Sequence, residues 1–438
     1  MSALEWLTML VLFAPAVLLA LSEMSPNLRA SRHARLKVDR NSRRVENFTV
    51  IVPIYGHIKY LTNVDYLRQY GERVLITTTT AETDEFNAAI EEVCAREGFR
   101  LFRGHVPGRS VGGTGGKKST GGVVREIIVR DALAVVEHPY VVCIDADTET
   151  ELPLSLLVGG LEAGSFDVAS VRLQAQNQNN MIERLQGHEY RTAMRLRVLM
   201  PWLVSGACHV LRTRVHREIM HAHSTFFQGN DVEVGVLGDA LKYRVGHVPF
   251  VVPTIVPSTF RAWFRQRLAW SGGEARLFVV NLYLVRWHPT LFLYGFLSLV
   301  TTPLRWYYLI NPTWPVAAAV ATYLLTMAWV NRRDFDGALL LMPVYLLFIS
   351  LVVVPLGVYT YVKMAWADRK MGVIRRMRGQ EPPRGAAPGS AHDGDRVDRR
   401  WLEPTDLRSS ADPSGRRDRL RRRRRRPGCR RCGRPGRR

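Results

Sequence analysis

A chain of 438 residues has room for one large or two medium domains, so core size excludes no globular class. A formal net charge of +22 would call for a polyanionic partner if it were spread evenly, but residues 372–438 carry 22 Arg against 8 Asp plus Glu, so +14 of it belongs to the last 67 residues. Five cysteines without a regular framework exclude a disulfide-built secreted scaffold and fit a reducing compartment; Cys429 and Cys432 have a metal-like spacing, but no further Cys or His lies nearby to complete a tetrahedral site.

Leu4 to Leu21 is almost wholly apolar and long enough to cross a bilayer, with no basic segment before it and no clear small-residue cleavage site after it, which predicts an uncleaved anchor over 1–22. A cleaved signal peptide would export the rest and fit poorly with the cysteines. The basic linker over 23–46, with Arg29, Arg32, Arg35, Lys37, Arg40, Arg43 and Arg44, places that side of the membrane in the cytoplasm.

A soluble α/β pattern begins at Asn47. Phe48 to Ile54 is a β-branched run closed by Pro53, Tyr55 and Gly56, and Val74 to Thr79 is a second; helical stretches follow over Thr62 to Tyr70 and Asp84 to Glu97. Strands alternating with helices predict a largely parallel sheet. Gly104 to Gly122 then places seven further glycines around Lys117 and Lys118, a loop whose amides and ammonium groups suit phosphate, although a mobile surface loop reads equally well and the Walker spacing is absent.

A helix over Val123 to Val136 leads to the strand Val141 to Ile144, which stops at Asp145-Ala146-Asp147. The acids therefore sit at the carboxyl end of a buried strand, the edge where open α/β sheets bind ligands. Two carboxylates so close are costly unless a cation or a proton neutralises them, and oxygen ligands suit Mg2+ or Mn2+ carrying a phosphorylated group. A solvated turn is the plainer alternative.

Val168 to Leu173 predicts another strand, Asn180 to Leu203 a long helix, and Ser205 to His209 a small-residue turn that could admit a ligand, with His209 as a hydrogen-bonded structural residue. Asp231 follows Gly229 and opens an apolar helical pattern, so it reads as an N-cap or as a base at the mouth of a cleft. Ser258 to Trp270 spaces Phe260, Trp263, Phe264, Arg267 and Trp270 by three and four, predicting an amphipathic helix at a membrane interface. Apolar runs at Leu291 to Ile310, Trp314 to Val330 and Ala338 to Val362 predict two or three further spans, and from Gly379 the Arg-rich composition predicts a disordered tail.

In this order the pieces resemble the membrane-embedded family 2 glycosyltransferases of the GT-A fold, the group of the cellulose, hyaluronan and chitooligosaccharide synthases. Val52-Pro53-Ile54-Tyr55-Gly56 looks like that family's opening strand and loop, Gly116-Lys117-Lys118 its Gly-Lys element, and Asp145-Ala146-Asp147 its metal motif. Ser205-Gly206-Ala207 resembles its acceptor-side turn, Gly229-Asn230-Asp231 its base-carrying element and Gln266-Arg267-Leu268-Ala269-Trp270 its Gln-x-x-Arg-Trp motif. The chain departs from the family at three points: Thr77 to Thr80 offers no early nucleotide-contacting aspartate, Asn230 stands before the base, and Ala269 replaces an arginine, leaving Arg267 or Arg265 to meet the diphosphate.

The resemblance implies an α/β GT-A domain over 47–257, interface helices over 258–288, a membrane region over 289–364 and a basic tail over 365–438. It implies inverting, metal-dependent hexosyl transfer from a UDP-sugar to a polysaccharide or lipid-linked glycan, by a multi-pass protein of the cell membrane with its catalytic domain in the cytoplasm. Asp231 is then the base, Asp147 holds the metal, and Pro53, Tyr55, Lys117, Lys118, Asp145, Gln266, Arg267 and Trp270 line the donor site, Trp270 also facing the acceptor. The partners are a UDP-sugar, a glycan or glycolipid acceptor and membrane lipid, with no specific nucleic acid. A single-addition glycolipid transferase is the alternative that Ala269 favours; a non-catalytic membrane protein whose tail binds nucleic acid or anionic lipid is the alternative of another class.

Overall fold

The computed structural model describes residues 36–106, 121–197, 200–225, 230–284, 314–333 and 335–367, together with positions 13, 17, 289, 292, 293, 306 and 307. The expected anchor apart from Phe13 and Val17, the glycine loop with Lys117 and Lys118, most of Leu291 to Ile310 and the tail from Asp368 lie outside the described residues. The chain divides into Met1–Gly385 and Ala386–Arg438, the second wholly outside them.

Seven strands form one sheet: β1 (Phe48–Pro53), β2 (Val74–Thr79), β3 (Arg100–Gly104), β4 (Tyr140–Ile144), β5 (Val168–Ala175), β6 (Cys208–Arg212) and β7 (Val245–Thr254). Their order is β3-β2-β1-β4-β6-β5-β7, parallel throughout except where β6 runs antiparallel between β4 and β5. β1, β2 and β4 are buried at every position, as expected of strands covered on both faces. β3, β6 and β7 are strands that the sequence pattern does not announce; β6 begins inside the expected turn at Ser205 to His209.

The helices alternate with them: α1 (Val64–Leu67), α2 (Asp84–Glu97), α3 (Gly121–Ala132), α4 (Leu154–Ala163), α5 (Met181–Arg197), α6 (Thr213–Ala222) and α7 (Asn230–Ala240). Local chemistry fixes their ends. Thr83 caps α2 by accepting from the Phe86 amide, and Gly98 closes it at φ 70, a left-handed turn that side chains with a Cβ rarely adopt.

Side-chain alternation divides the core into two layers. Phe48, Val50, Val52, Val142, Ile144 and Val210 face one layer with α4; Ile51, Leu75, Val141, Cys143 and Leu211 face the other with α6 and α7.

Beyond the sheet lie α8 (Phe260–Val280), α9 (Trp314–Val330), α10 (Met342–Phe348) and α11 (Val354–Ala367), the last two joined by a π-turn at Ile349–Val353. α8 continues ten residues past the expected interface stretch and is covered on one side: Trp263 and Arg267 are buried, whereas Phe260, Arg261, Arg265 and Trp270 are exposed. The cover comes from α10, whose Tyr345 hydroxyl accepts from the Trp263 indole at 2.8 Å. α11 crosses α8 at Gly357, where a Cβ would stand 2.6 Å from the Ser271 Cβ and 2.8 Å from the Gly272 nitrogen. Among the described residues one helix, Gly337–Trp366, is long and apolar enough to cross a membrane; Ala317–Val330 is apolar but shorter.

Candidate active site

β1 and β4 are neighbours, and the chain leaves them to opposite sides, first to β2 and β3 and later to β5, β6 and β7. Their shared carboxyl edge is therefore the switch point of the sheet, where a crevice opens. Pro53 to Gly56 leave β1 there, and Asp145 to Asp147 leave β4. Because β6 is antiparallel with Ile144 opposite Cys208, the turn Ser205-Gly206-Ala207 arrives at the same edge.

The acidic loop is held by its backbone, which leaves its carboxylates outward. The Asp145 amide donates to the Ala207 carbonyl at 3.0 Å, the Thr62 amide donates to the Ala146 carbonyl at 3.0 Å, and the Thr148 amide to the Asp145 carbonyl at 3.1 Å. Asn63, wholly buried, donates its side-chain amide to the carbonyls of Asp145 (3.0 Å) and Thr148 (2.7 Å). Asn63 falls inside the helical stretch expected over Thr62 to Tyr70; its partners lie more than eighty positions away, so no local pattern could mark it. Asp147 is exposed, and among the described residues only the Thr148 hydroxyl, at 3.4 Å, approaches its carboxylate.

Arg125 on α3 organises the other carboxylates. Its guanidinium donates to Asp145 (3.2 Å), to Glu126 (2.6 Å) and to the Gly206 carbonyl (2.8 Å), while the Gly206 amide donates to Asp231 at 2.6 Å. One residue of the turn thus links Asp145, through Arg125, to Asp231 at the start of α7. Sequence reasoning missed Arg125, which sits in an ordinary apolar helical pattern. It also missed Arg197 at the end of α5, whose guanidinium burial pulls down to about 10 against the attraction of Asp231 and Tyr190.

Although 39% of the Asp145 side chain meets solvent, burial first, and then the charges of Asp147 and Asp231, push its carboxyl up to about 6 against the pull of Arg125. The native state therefore binds this proton more tightly than the unfolded chain between 3.8 and about 6, and stability from this group falls as pH rises through that window. Asp145→Asn removes the penalty: the ligand-free variant should match wild type in Tm near pH 4 and exceed it increasingly towards about pH 6. A gap of the opposite sign in paired melts would place the Asp145 proton affinity below its ordinary value.

On the β1 side of the crevice, Pro53 ends β1 opposite Thr77, and Tyr55 packs against Val106, Val124, Ile127 and Ile128. The Gly56 amide, at φ 85, donates to Glu82 at 2.9 Å, and Glu82 also accepts from the Thr79 hydroxyl at 2.8 Å. Glu82 is buried and lies two residues past the acid-free run Thr77 to Thr80, a position to which the expected motif did not point.

Gln266, Arg267 and Trp270 form a group of their own on α8. Arg267 donates to Glu189 of α5 and to the Gln266 side chain, both at 2.7 Å, and its guanidinium lies 4.2 Å from the centre of the Trp270 ring. The Tyr345 hydroxyl donates to the same Glu189 oxygen at 2.5 Å. Trp270 is 46% exposed and touches the Tyr190 ring edge-on. No hydrogen bond joins this group to Asp145, Asp147 or Asp231 among the described residues, so the structure gathers the expected site into two groups.

The helix that carries Asp231 is anchored behind it. Glu233, fully buried, pairs with Arg276 of α8, meets His223 at 3.3 Å and accepts from the Ser224 hydroxyl at 2.9 Å and amide at 3.1 Å.

Residues 140–360, just over half of the chain, match the profile described as Glycosyl transferase family group 2. Among solved structures, the mannosyltransferase PcManGT from Pyrobaculum calidifontis, in complex with GDP-Man and Mn2+, is 17% identical with TM-score 0.44, covering 77% of this chain and 97% of that one. Residues 1–349 of S. aureus TarS are 14% identical with TM-score 0.37, covering 74% and 92%. Glucosyl-3-phosphoglycerate synthase from Mycobacterium tuberculosis, in complex with Mn2+, UDP and glucosyl-3-phosphoglycerate, is 16% identical with TM-score 0.34, covering 53% and 78%. No curated protein matches the chain. With its central strand, its acidic loop, its α7 carboxylate and its α8 motif all inside the matched residues, the chain belongs to the family 2 glycosyltransferases and is a glycosyltransferase.

Proposed function

We propose that the protein transfers a hexosyl unit, with inversion and with the help of a divalent metal, from a UDP-sugar to a polysaccharide or lipid-linked glycan at a membrane. The observation that carries this reading is the Gly206 peptide, held on one side by Arg125, which pairs with Asp145, and on the other by Asp231, beside an Asp147 carboxylate left open to solvent.

Asp147 and Asp145 fit a hard divalent cation: both are oxygen donors, one is exposed and barely engaged, and the other is raised in proton affinity by neighbouring carboxylates that a cation would neutralise. Bound there, Mg2+ or Mn2+ would offset the charge that builds on the departing diphosphate. Asp147 would hold the cation, and Asp145 would face the nucleotide sugar. Arg125 fixes the Asp145 carboxylate, and Asn63 fixes the loop behind both. Asp231 accepts the proton of the acceptor hydroxyl as that oxygen attacks the anomeric carbon opposite the leaving group, which inverts the centre. The lysines Lys117 and Lys118 add positive charge towards the phosphates, Pro53 and Tyr55 shape the nucleotide pocket, and Trp270 offers its indole face to the acceptor sugar.

Arg267 remains an expected diphosphate contact together with Gln266, and its ion pair with Glu189 means that it must exchange or share that partner to serve. This engagement and Ala269 favour a second reading, a single-addition glycolipid transferase, which product length on a gel separates from a polymerising enzyme. We place the enzyme in the cell membrane, with a GT-A unit over 47–257 in the cytoplasm, an anchor before it and spans after it; Gly337–Trp366, long and apolar enough to cross a membrane, supports one of those spans.

Membranes bearing the protein should release UDP from one member of a UDP-sugar panel in the presence of Mn2+, and lose that activity with EDTA or with Asp147→Ala. Release that ignores both treatments would overturn the metal-dependent reading. Asn63→Ala should weaken Mn2+ binding by about 10- to 100-fold, the usual effect of removing a group that orients metal ligands. An unchanged manganese titration would show that β4 and β6 alone hold the loop.

A further inference from the structure

The carboxyl end of β4, on the face away from α4, carries a cluster that sugar transfer does not use. Cys143 and His209 stand directly opposite each other in the antiparallel β4–β6 ladder, so their side chains share one face of the sheet, and His216 reaches that face from α6. The Cys143 sulfur and one nitrogen from each histidine all lie within 4.8 Å of one another, and the three side chains are buried. We propose that Cys143, His209 and His216 form a binding site for a zinc-class transition metal, separate from the carboxylates of the acidic loop.

Four observations support the site. The first is reach: at metal–nitrogen distances of about 2.0–2.1 Å and a metal–sulfur distance of about 2.3 Å the donors stand roughly 3.3–3.7 Å apart, so the present spread closes by about an ångström of side-chain rotation. The second is the state of His209. Its Nδ1 lies 2.8 Å from the Ser205 carbonyl, which can only accept, so Nδ1 carries the proton and Nε2 keeps a lone pair. The third is His216, wholly buried, with neither ring nitrogen hydrogen-bonded among the described residues, a condition that a metal bond relieves. Burial also keeps this imidazole neutral, the form that ligates.

The fourth is chemical selection and charge. One thiolate and two imidazoles prefer zinc-like ions, whereas Mg2+ and Mn2+ prefer the oxygens of Asp145 and Asp147. Arg125 and Glu126 stand beside the cluster as a neutral pair, and the Cys143 thiolate supplies one negative charge to the dication. Binding releases the Cys143 thiol proton to solvent as the sulfur–metal bond forms. Since His209 hangs from the Ser205 carbonyl and the next residue carries Asp231, the bound metal stiffens the turn on which the proposed base rests.

Cobalt tests the site without reference to sugar transfer. Full-length protein in detergent, stripped with a chelator and then given Co2+ with excess Mg2+ to occupy carboxylates, should show a thiolate-to-cobalt charge-transfer band and tetrahedral visible bands saturating at about one equivalent, displaced by Zn2+. The bands should vanish in Cys143→Ser and need at least about ten times more Co2+ in His216→Phe. They should persist in Cys94→Ser and in Cys429→Ser/Cys432→Ser. Should the Cys143 and His216 variants fail to fold, the triple variant Cys94→Ser/Cys429→Ser/Cys432→Ser decides alone, because its remaining Cys208 belongs to the opposite core layer. Bands in that protein support the site; their absence there, or in wild type, or their survival in folded Cys143→Ser, overturns it.

Discussion

Asp231→Asn should lower the rate of sugar transfer by about 10²- to 10⁴-fold, the usual contribution of a positioned general base, while UDP-sugar affinity stays within a few-fold of wild type. Asparagine retains a side-chain oxygen for the Gly206 amide, which donates to Asp231 at 2.6 Å, so α7 and the turn should keep their places. What is lost is the ability to take a proton. Initial rates of UDP release, set beside calorimetric binding of the same donor, separate the two effects. A variant that keeps its rate removes Asp231 from the chemistry, and one that loses binding as well as rate assigns it a role in shaping the cleft.

The second large effect concerns stability. Glu233→Leu strands Arg276, a fully buried guanidinium of which two nitrogens already lack a partner among the described residues. Removing one member of such a pair costs about 3–5 kcal/mol, which should show as a large fall in Tm and as rapid proteolysis. The double change Glu233→Leu/Arg276→Leu should recover most of that loss, because burying two apolar side chains avoids the desolvation of either charge. If the single change melts like wild type, the pair contributes nothing to holding α7 against α8.

Much of the sheet was legible because its central strands are short runs closed by turn residues: the strand Val74 to Thr79 has the bounds expected of it, as does the helix Asp84 to Glu97 that follows. β6 was not, since Ser205 to Ala207 reads as a turn and the strand that follows is only five residues long, placed by pairing with β4 rather than by its own composition. Asp145 to Asp147 were visible because they form a short loop directly after the apolar strand β4.

Asn63, Glu82 and Arg125 were not, because each acts on backbone or carboxylates that reach it through the sheet rather than along the chain. On α8 the spacing of aromatic and basic residues suggested a lipid-facing surface; Arg267 and Trp263 turn inward because Glu189 and Tyr345 wait on other helices, information that periodicity does not hold. Membership of a transferase family decides against the non-catalytic alternative.

The order of strands also bears on how the chain is made. β4 closes onto β1 across some ninety residues, yet its other edge must wait for β6, which is translated after β5 and then inserts between the two. During synthesis the strand that ends in the acidic loop, and β5 beyond it, therefore spend a period with unpaired backbone exposed, the circumstance in which nascent chains stick to one another. Ribosome-stalled fragments that end before Cys208 should consequently depend on chaperones for solubility, and fragments that extend past Thr254 should be released from that dependence.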